Sequence, residues 1–129
     1  MHRLPTRARR AFRLLREALF ASGPNQVQVR VYLNTDLTAM LTGHQPGAPM
    51  TLAYTYRVRA DRADTDEILL ERVFAAFNDH PEHDDDHPHT RAWYTNGFRS
   101  LSVGDVVGLD DRHYACRSSG WTAAPAPPT

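Results

Sequence analysis

Four histidines lie within ten residues of one another in an acidic stretch, NDHPEHDDDHPHTRAW (residues 78–93). Imidazole is a common ligand of zinc, copper and nickel, so the stretch could bind a transition metal. The candidate ligands are His80, His83, His87 and His89. A working metal site needs ligands fixed on rigid elements, whereas these histidines alternate with prolines and carboxylates. We therefore interpret the stretch as a solvated acidic loop and keep a metal-dependent enzyme as an alternative.

A second set of reactive residue types lies in the segment RSLSVGDVVGLDDRHYACRSSGW near the C-terminus. Ser100 or Ser102, with Asp105 and His113, offers the residue types of a nucleophile, its base and an orienting acid. The segment lacks the Gly-x-Ser-x-Gly elbow that exposes such a serine. The sequence from Ser102 to Asp105 is instead typical of a turn that leads into a strand. We predict no catalytic residue in this segment.

Trp93 and Tyr94 are adjacent aromatic residues that lie outside any clear strand pattern. Aromatic and arginine side chains dominate the energetics of many protein contacts, and Arg99 and Ser100 follow closely in the chain. We predict that these four residues form a partly exposed recognition surface at the edge of the polar loop. The alternative is that the aromatic rings fill a small core at the end of the sheet.

The N-terminal segment is strongly basic, although the formal net charge of the whole chain is +0. A helix predicted over residues 5–21 places Arg9, Arg13 and Arg16 opposite an apolar face. We interpret it as a helix that docks on the domain with its arginines in solvent. The alternative is a nucleic-acid-binding accessory factor whose arginines contact phosphates.

Composition narrows the class of protein further. A length of 129 residues fits one domain. No apolar run approaches the ~20 residues of a membrane helix, and the N-terminus is a poor signal peptide. The single cysteine, Cys116, cannot form an internal disulfide and is predicted to be a buried thiol. From these features we expect a cytoplasmic protein. We expect no cofactor, because the usual nucleotide-binding motifs are missing.

Hydrophobic periodicity predicts both strands and helices. Alternation of apolar and polar residues predicts strands at 27–34, 50–60, 103–109 and 113–118, the last two forming a hairpin. One face of the second strand is predicted to carry Met50, Leu52, Tyr54, Tyr56 and Val58. Helical spacing predicts a short helix at 35–43 and a longer one at 64–78, the latter with Asp64 and Glu67 as its capping box. The predicted fold is α+β, a small and mostly antiparallel sheet with helices packed on one face and a C-terminal β-hairpin.

These elements divide the chain into three parts. Residues 1–25 form the basic amphipathic helix, and residues 26–121 form the α+β domain. Residues 122–129 are rich in proline and alanine and are predicted to be a disordered tail.

The motif RSLSVGDVV, followed by a tyrosine and a terminal Gly-Trp, resembles a group of small uncharacterised proteins of actinobacteria, their plasmids and their phages. The strand VRVY and the helix ending VFAAFN extend the likeness over roughly Val27 to Trp121. The pattern is similar, more distantly, to the YodL-like domain of mobile-element and defence-related proteins. The resemblance implies a small interaction domain in a mobile-element setting, and it brings no catalytic residues with it.

The sequence as a whole favours a non-catalytic protein-interaction or accessory module of a GC-rich bacterium or its mobile elements. Its partner would be a protein of unknown identity, bound around residues 79–98 and the start of the hairpin. Nucleic-acid binding through the N-terminal arginines and metal-dependent catalysis through the histidines are the two alternatives.

Overall fold

The computed structural model describes residues 25–128. The predicted N-terminal helix, with Arg9, Arg13 and Arg16, lies outside the described residues. One five-stranded antiparallel sheet forms the centre of the fold, with strand order β2-β1-β3-β4-β5. Its strands are β1 (Gln26–Asn34), β2 (Met50–Arg59), β3 (Val106–Leu109), β4 (Arg112–Cys116) and β5 (Trp121–Ala124). The α+β prediction and the predicted C-terminal hairpin, β3–β4, are confirmed.

Two helices cover one face of the sheet. The helical elements are α1 (Ala39–Thr42), α2 (Asp66–Ala76), a 3₁₀ turn (Asp84–Asp86) and α3 (His87–Thr95). The apolar stripe of α2 and Trp93 of α3 pack on the inward side chains of β1, β2 and β3, forming the main core. We call the opposite side of the sheet the second face. None of the helices between residues 25 and 128 is long and apolar enough to cross a membrane.

A β-bulge in strand β2 moves the apolar side chains before it to the opposite face of the sheet from those after it. Val31 pairs with Tyr54, but Tyr32 pairs with Leu52, so Ala53 is the extra residue. Because side chains alternate along a strand, an extra residue shifts every later side chain to the other face. Tyr54 therefore packs in the main core as predicted. The prediction that Met50 and Leu52 share its face is wrong.

Helix α2 begins one residue later than the capping-box pattern indicates. Thr65 is the N-cap, and its hydroxyl oxygen accepts a hydrogen bond from the backbone N–H of Ile68 at 3.2 Å. Asp64 instead accepts a hydrogen bond from the N–H of Asp61 and closes the preceding turn. Asp66 and Glu67 occupy the first turn of the helix, where carboxylates favour the positive end of its dipole.

The acidic stretch is not a solvated loop, as predicted, but contains the 3₁₀ turn and helix α3. Asp86 is buried, and its two carboxylate oxygens accept hydrogen bonds from Arg72 of α2 at 2.7 Å and 3.0 Å. Thr90 is buried as well, and its hydroxyl donates to the carbonyl of Ala76 at 2.8 Å. These long-range bonds dock α3 against α2.

Part of the predicted disordered tail belongs to the sheet. Residues 121–124 form β5, an edge strand that pairs with β4. Trp121 fixes it on the core side, because its ring packs edge-on against Phe74 and its indole N–H donates to Glu71 at 2.9 Å. The domain boundary predicted after residue 121 therefore falls inside a strand and is wrong.

Helix α1 lies close to the turn that leads into β3. A Cβ atom on Gly104 would approach the Cβ of Ala39 to 2.8 Å and its carbonyl oxygen to 2.9 Å. Gly104 also has a φ of 95°, which other residues adopt only with strain. Glycine at this position thus allows α1 to pack on the rest of the fold.

Candidate functional site

Trp93, predicted to lie on a recognition surface, has an exposed fraction of 0% and is part of the main core. Its ring packs against Phe77 and Phe98, at centroid distances of 4.5 Å and 4.9 Å. Its indole N–H donates to the carbonyl oxygen of Arg99 at 3.0 Å. Trp93 therefore cannot form a surface contact, and the alternative that the rings fill a core is correct for this residue. Helix α3 turns it inward, and the sequence did not reveal that helix.

Tyr94 and Ser100 lie together, as predicted. The Tyr94 hydroxyl donates to the carbonyl of Phe77 at 3.0 Å and lies 2.8 Å from the Ser100 hydroxyl. Tyr94 also lines a shallow cavity of about 300 Å³, together with Asp79, Thr90, Arg91 and Thr95. The polar end of Tyr94 is thus used to tie α3 to the end of α2, while one side of its ring faces the cavity.

Arg99 is held in a network around the fully buried carboxylate of Asp105. Two of the Arg99 nitrogens donate to the two oxygens of Asp105, each at 2.8 Å. The same carboxylate accepts from the backbone N–H of Asn34 and of Ser102, also at 2.8 Å. Every hydrogen bond in this set is charge-assisted, the stronger kind. The RSLSVGD segment therefore joins the end of β1 to the start of β3.

Asn34 extends the network into the turn before α1. Its side-chain N–H donates to the carbonyl of Gly104 at 3.1 Å, and its oxygen accepts from the backbone N–H of Asp36 at 2.9 Å. Asp36 in turn accepts from the hydroxyl and the backbone N–H of Thr38 at 2.7 Å and 3.0 Å. These two bonds, the hydroxyl bond first, lower the pKa of the Asp36 carboxyl. Residues 34–38 are thus fixed by hydrogen bonds that originate at Asp105.

This fixed turn presents three large apolar side chains to solvent, which we call the apolar turn: Leu37, Met40 and Leu41. Their exposed fractions are 70%, 44% and 90%. Ala39, between them, is the buried residue that contacts Gly104. The helical spacing of Leu37, Met40 and Leu41 is typical of a core-facing stripe, so sequence reasoning missed this surface. Only the structure shows that α1 has four residues, too few to bury a stripe of its own.

The four histidines are not brought together. His83 precedes the 3₁₀ turn, His87 opens α3, and both are exposed, as is His80. His89 turns inward instead, and its Nδ1 lies 2.8 Å from the Tyr54 hydroxyl. Within the described part of the chain, no group of three or more histidine, cysteine or acidic residues could hold a metal ion. The geometry does not support the metal-site alternative.

His89 lies at the margin of a buried polar cluster between α3 and β2. Its ring packs on Tyr56 at a centroid distance of 4.5 Å, and Tyr56 places its hydroxyl in the interior without a hydrogen-bond partner among the described residues. Burial lowers the pKa of His89, with Asp86 opposing and Arg72 assisting that shift. The neutral imidazole is therefore the form that the fold prefers.

Stability is expected to fall as the pH is lowered from 7.5 to 5.5. Burial also lowers the pKa of His44 and of His113, so all three histidines follow the same rule. A histidine with a lowered pKa contributes stability above its unfolded value of about 6.5, and this contribution is lost as the pH falls through its folded pKa. Urea midpoints at the two pH values measure the effect. The difference between the midpoints at pH 7.5 and 5.5 should shrink in His89→Gln. It should not shrink in His87→Gln, which replaces an exposed histidine on the same helix. Equal midpoints at the two pH values in the parent chain would contradict the expectation.

The residues of a possible serine triad have other partners. Asp105 bonds with Arg99, whereas His113 lies on the second face with its ring 6.0 Å from that of Tyr32. Cys116 is buried, as predicted. Burial, assisted by the charge of Asp105, raises the pKa of its thiol to about 11, so little reactive thiolate is present at neutral pH.

No protein-family model matches the chain, and no curated protein or solved structure is significantly similar to it. Function is therefore inferred from the geometry and chemistry of the chain itself.

Proposed function

We propose that the chain is a non-catalytic protein-interaction module whose contact surface is the apolar turn. The observation behind the proposal is the exposure of Leu37 and Leu41, 70% and 90%, on a turn that hydrogen bonds hold in place. Single exposed apolar residues are ordinary, but several adjacent large ones are typical of an interaction surface. Burying one such side chain contributes about 1.5–3 kcal/mol, so two or three can anchor a complex.

The Asp105 network supports this proposal by giving the turn a fixed shape. A surface that is ordered before binding loses less conformational entropy in the complex than a flexible one. In this proposal Arg99 and Ser100 are positioning residues behind the surface, and Tyr94 and Ser100 secure α3. The resemblance of the RSLSVGDVV motif to small actinobacterial, plasmid and phage proteins fits the same proposal, with a mobile element as the setting.

The proposed partner is a different protein with an apolar groove, since the turn projects outward. The described part of the chain includes two concave regions that can be compared with such a groove. One is the cavity beside Tyr94, and the other, of about 260 Å³, includes Asp61, Asp64 and Arg112 in its wall. Most of the residues around both regions are polar or charged, so a second copy of this chain is a less suitable partner than a protein with an apolar groove.

Affinity selection with three forms of the full chain tests the proposal. Leu37→Ser/Leu41→Ser removes the apolar turn, whereas Leu52→Ser/Ile68→Ser removes two other side chains that are about half exposed. We expect a partner in an actinobacterial lysate to be retained by the parent and the control pair but not by the first pair. Reconstituted with purified partner, the first pair should bind at least about tenfold more weakly. If all three forms retain the same proteins with equal affinity, the apolar turn is not the contact surface.

A further inference from the structure

The cavity beside Tyr94 carries one acidic and one basic side chain in its wall. It has a volume of about 300 Å³ and lies between helix α3 and the segment that follows α2. Asp79 contributes the carboxylate and Arg91 the guanidinium, and both residues are exposed. Thr90, Tyr94 and Thr95 line the cavity as well. The cavity thus combines two opposite charges with an aromatic ring.

Neither of these charges is neutralised within residues 25–128. The arginines that form ion pairs in this part of the chain are Arg72, Arg99 and Arg112. Asp79 and Arg91 line the same cavity, yet they do not form an ion pair with each other. Two opposite charges that share a cavity without meeting can each bind the complementary charge of a ligand that lies between them.

Hydrogen bonds fix the backbone on both sides of Asp79. The side-chain N–H group of Asn78 donates to the carbonyls of Phe74 and Leu101, at 3.0 Å and 3.1 Å. The backbone N–H of His80 donates to a carbonyl in the last turn of α2 at 2.8 Å. Asp79 itself has a φ of 65°, a left-handed conformation that aspartate tolerates better than most residues. The backbone that carries its carboxylate is therefore ordered before a ligand binds.

Helix α3, which carries Arg91, is held to the end of α2 by two anchors. The Thr90 hydroxyl donates to the carbonyl of Ala76 at 2.8 Å, and the Tyr94 hydroxyl donates to that of Phe77 at 3.0 Å. Arg91 lies between these two anchors in the chain. A site whose backbone is ordered in advance loses less conformational entropy on binding than a flexible one.

We propose that this cavity binds a small zwitterion of the amino-acid class, with its ammonium group at Asp79 and its carboxylate at Arg91. A guanidinium can donate to a carboxylate through two nitrogens, which orients the ligand. The ring of Tyr94 offers apolar area to the ligand side chain. The volume lies at the lower end of the range for small-ligand sites, which favours a ligand no larger than one amino acid.

This site is separate from the apolar turn, because none of its lining residues belongs to that turn. It therefore adds a small-ligand function to the proposed protein contact. Both charged side chains are exposed, so each contact with the ligand is weak and the expected Kd is about 1 mM.

NMR titration of the isotope-labelled full chain with L-phenylalanine tests the proposal. We expect saturable shifts in the amide signals of Asp79, Arg91 and Thr95, and none in those of the apolar turn. Hydrocinnamate and phenethylamine each lack one of the two charges of L-phenylalanine. Each should bind at least about fivefold more weakly, because it leaves one side chain of the cavity without its partner.

A pair of double variants tests the two side chains directly. Asp79→Asn/Arg91→Gln removes both charges, and asparagine also tolerates the left-handed conformation. Asp84→Asn/Arg117→Gln is the matched control, because it removes one exposed acid and one exposed base outside the cavity wall. The first pair should bind L-phenylalanine at least about tenfold more weakly than the parent, whereas the control pair should bind it equally well.

Three results would overturn the proposal. Absence of saturable shifts at residues 79 and 90–95 would show that the cavity binds no such zwitterion. Equal affinity for hydrocinnamate would identify the ligand as a simple carboxylate. Equal loss in both double variants would indicate a general effect of charge. Thermal midpoints identify a variant that is unfolded, and in that case the comparison of the three ligands on the parent chain still decides the question.

Discussion

Replacement of Asp105 with alanine is expected to lower the free energy of unfolding by about 3–5 kcal/mol. The carboxylate is fully buried and accepts four hydrogen bonds, two from Arg99 and one each from the N–H groups of Asn34 and Ser102. Alanine leaves the partly buried guanidinium of Arg99 without its counter-charge and the buried N–H of Asn34 without an acceptor. Because small domains are stable by only about 5–15 kcal/mol, the variant should be near its unfolding limit.

Urea denaturation followed by tryptophan fluorescence measures this loss. Asp111→Ala is the matched control, because Asp111 lies exposed at the β3–β4 turn and its carboxylate is 3.7 Å from Arg112. Its effect should stay within about 0.5 kcal/mol. Asp105→Asn keeps the shape and one acceptor oxygen, so it should be destabilised by an intermediate amount and remain folded. Equal stabilities of Asp105→Ala and Asp111→Ala would show that the network does not hold the fold.

Asp105→Asn also tests whether the Asp105 network orders the apolar turn, the proposed contact surface. Asn34 is fixed by Asp105 and in turn holds Asp36. In Asp105→Asn, the amide protons of residues 36–41 should therefore exchange faster than those of α2, which has no bond to this network. Faster exchange confined to the turn would agree with the role of Arg99 and Asp105 as positioning residues.

The elements that were predicted correctly are those whose pattern is local. Alternation in β1 and helical periodicity in α2 reflect burial of one face, and this burial is encoded in neighbouring residues. The β3–β4 turn at Asp110 has a φ of 56°, a conformation that aspartate tolerates better than most residues. Such features need no knowledge of distant contacts.

The elements that were missed depend on partners far away in the chain. The acidic sequence of α3 conceals a helix, because Asp86 is buried only through Arg72, fourteen positions earlier. Strand β5 has little β-forming sequence beyond Trp121 and is fixed at the edge of β4. The bulge at Ala53 follows from the pairing of β1 with β2 and not from either strand alone.

The candidate site also combines residues that the sequence identified with contacts between residues far apart in the chain. Arg99 and Ser100 were predicted to belong to a recognition surface, but the bond from the Asn34 N–H to Asp105, which joins Arg99 to the turn, spans 71 positions and was invisible in the sequence. The apolar turn was missed because its spacing is typical of a core-facing helix. The stripe faces solvent because α1 is short and because the turn before it is held by the Asp105 network, and neither feature can be seen in the sequence.

A double-mutant cycle on Arg72 and Asp86 is expected to show strong coupling. The pair is buried, and both carboxylate oxygens are bonded to one guanidinium. Arg72→Met or Asp86→Leu alone leaves a buried charge unpaired and should cost about 3–5 kcal/mol. The double variant leaves no such charge, so it should be more stable than either single variant. Interaction energies between contacting residues are usually 0.5–3 kcal/mol, and this one should lie at or above the upper end.

The Asp86 side chain makes no capping bond to α3, so Asp86→Leu removes the ion pair without removing an N-cap. Asp85→Leu, at the exposed neighbouring position, is the control for the added side chain. Circular dichroism of the double variant then separates two roles of the pair. Retained helix content would mean that apolar contacts of α3, through Trp93, suffice to dock it. Lost helix content would mean that the ion pair selects this packing of α3, although it adds little net stability. Additive losses in the cycle would contradict the assignment of Arg72 and Asp86 as a coupled pair.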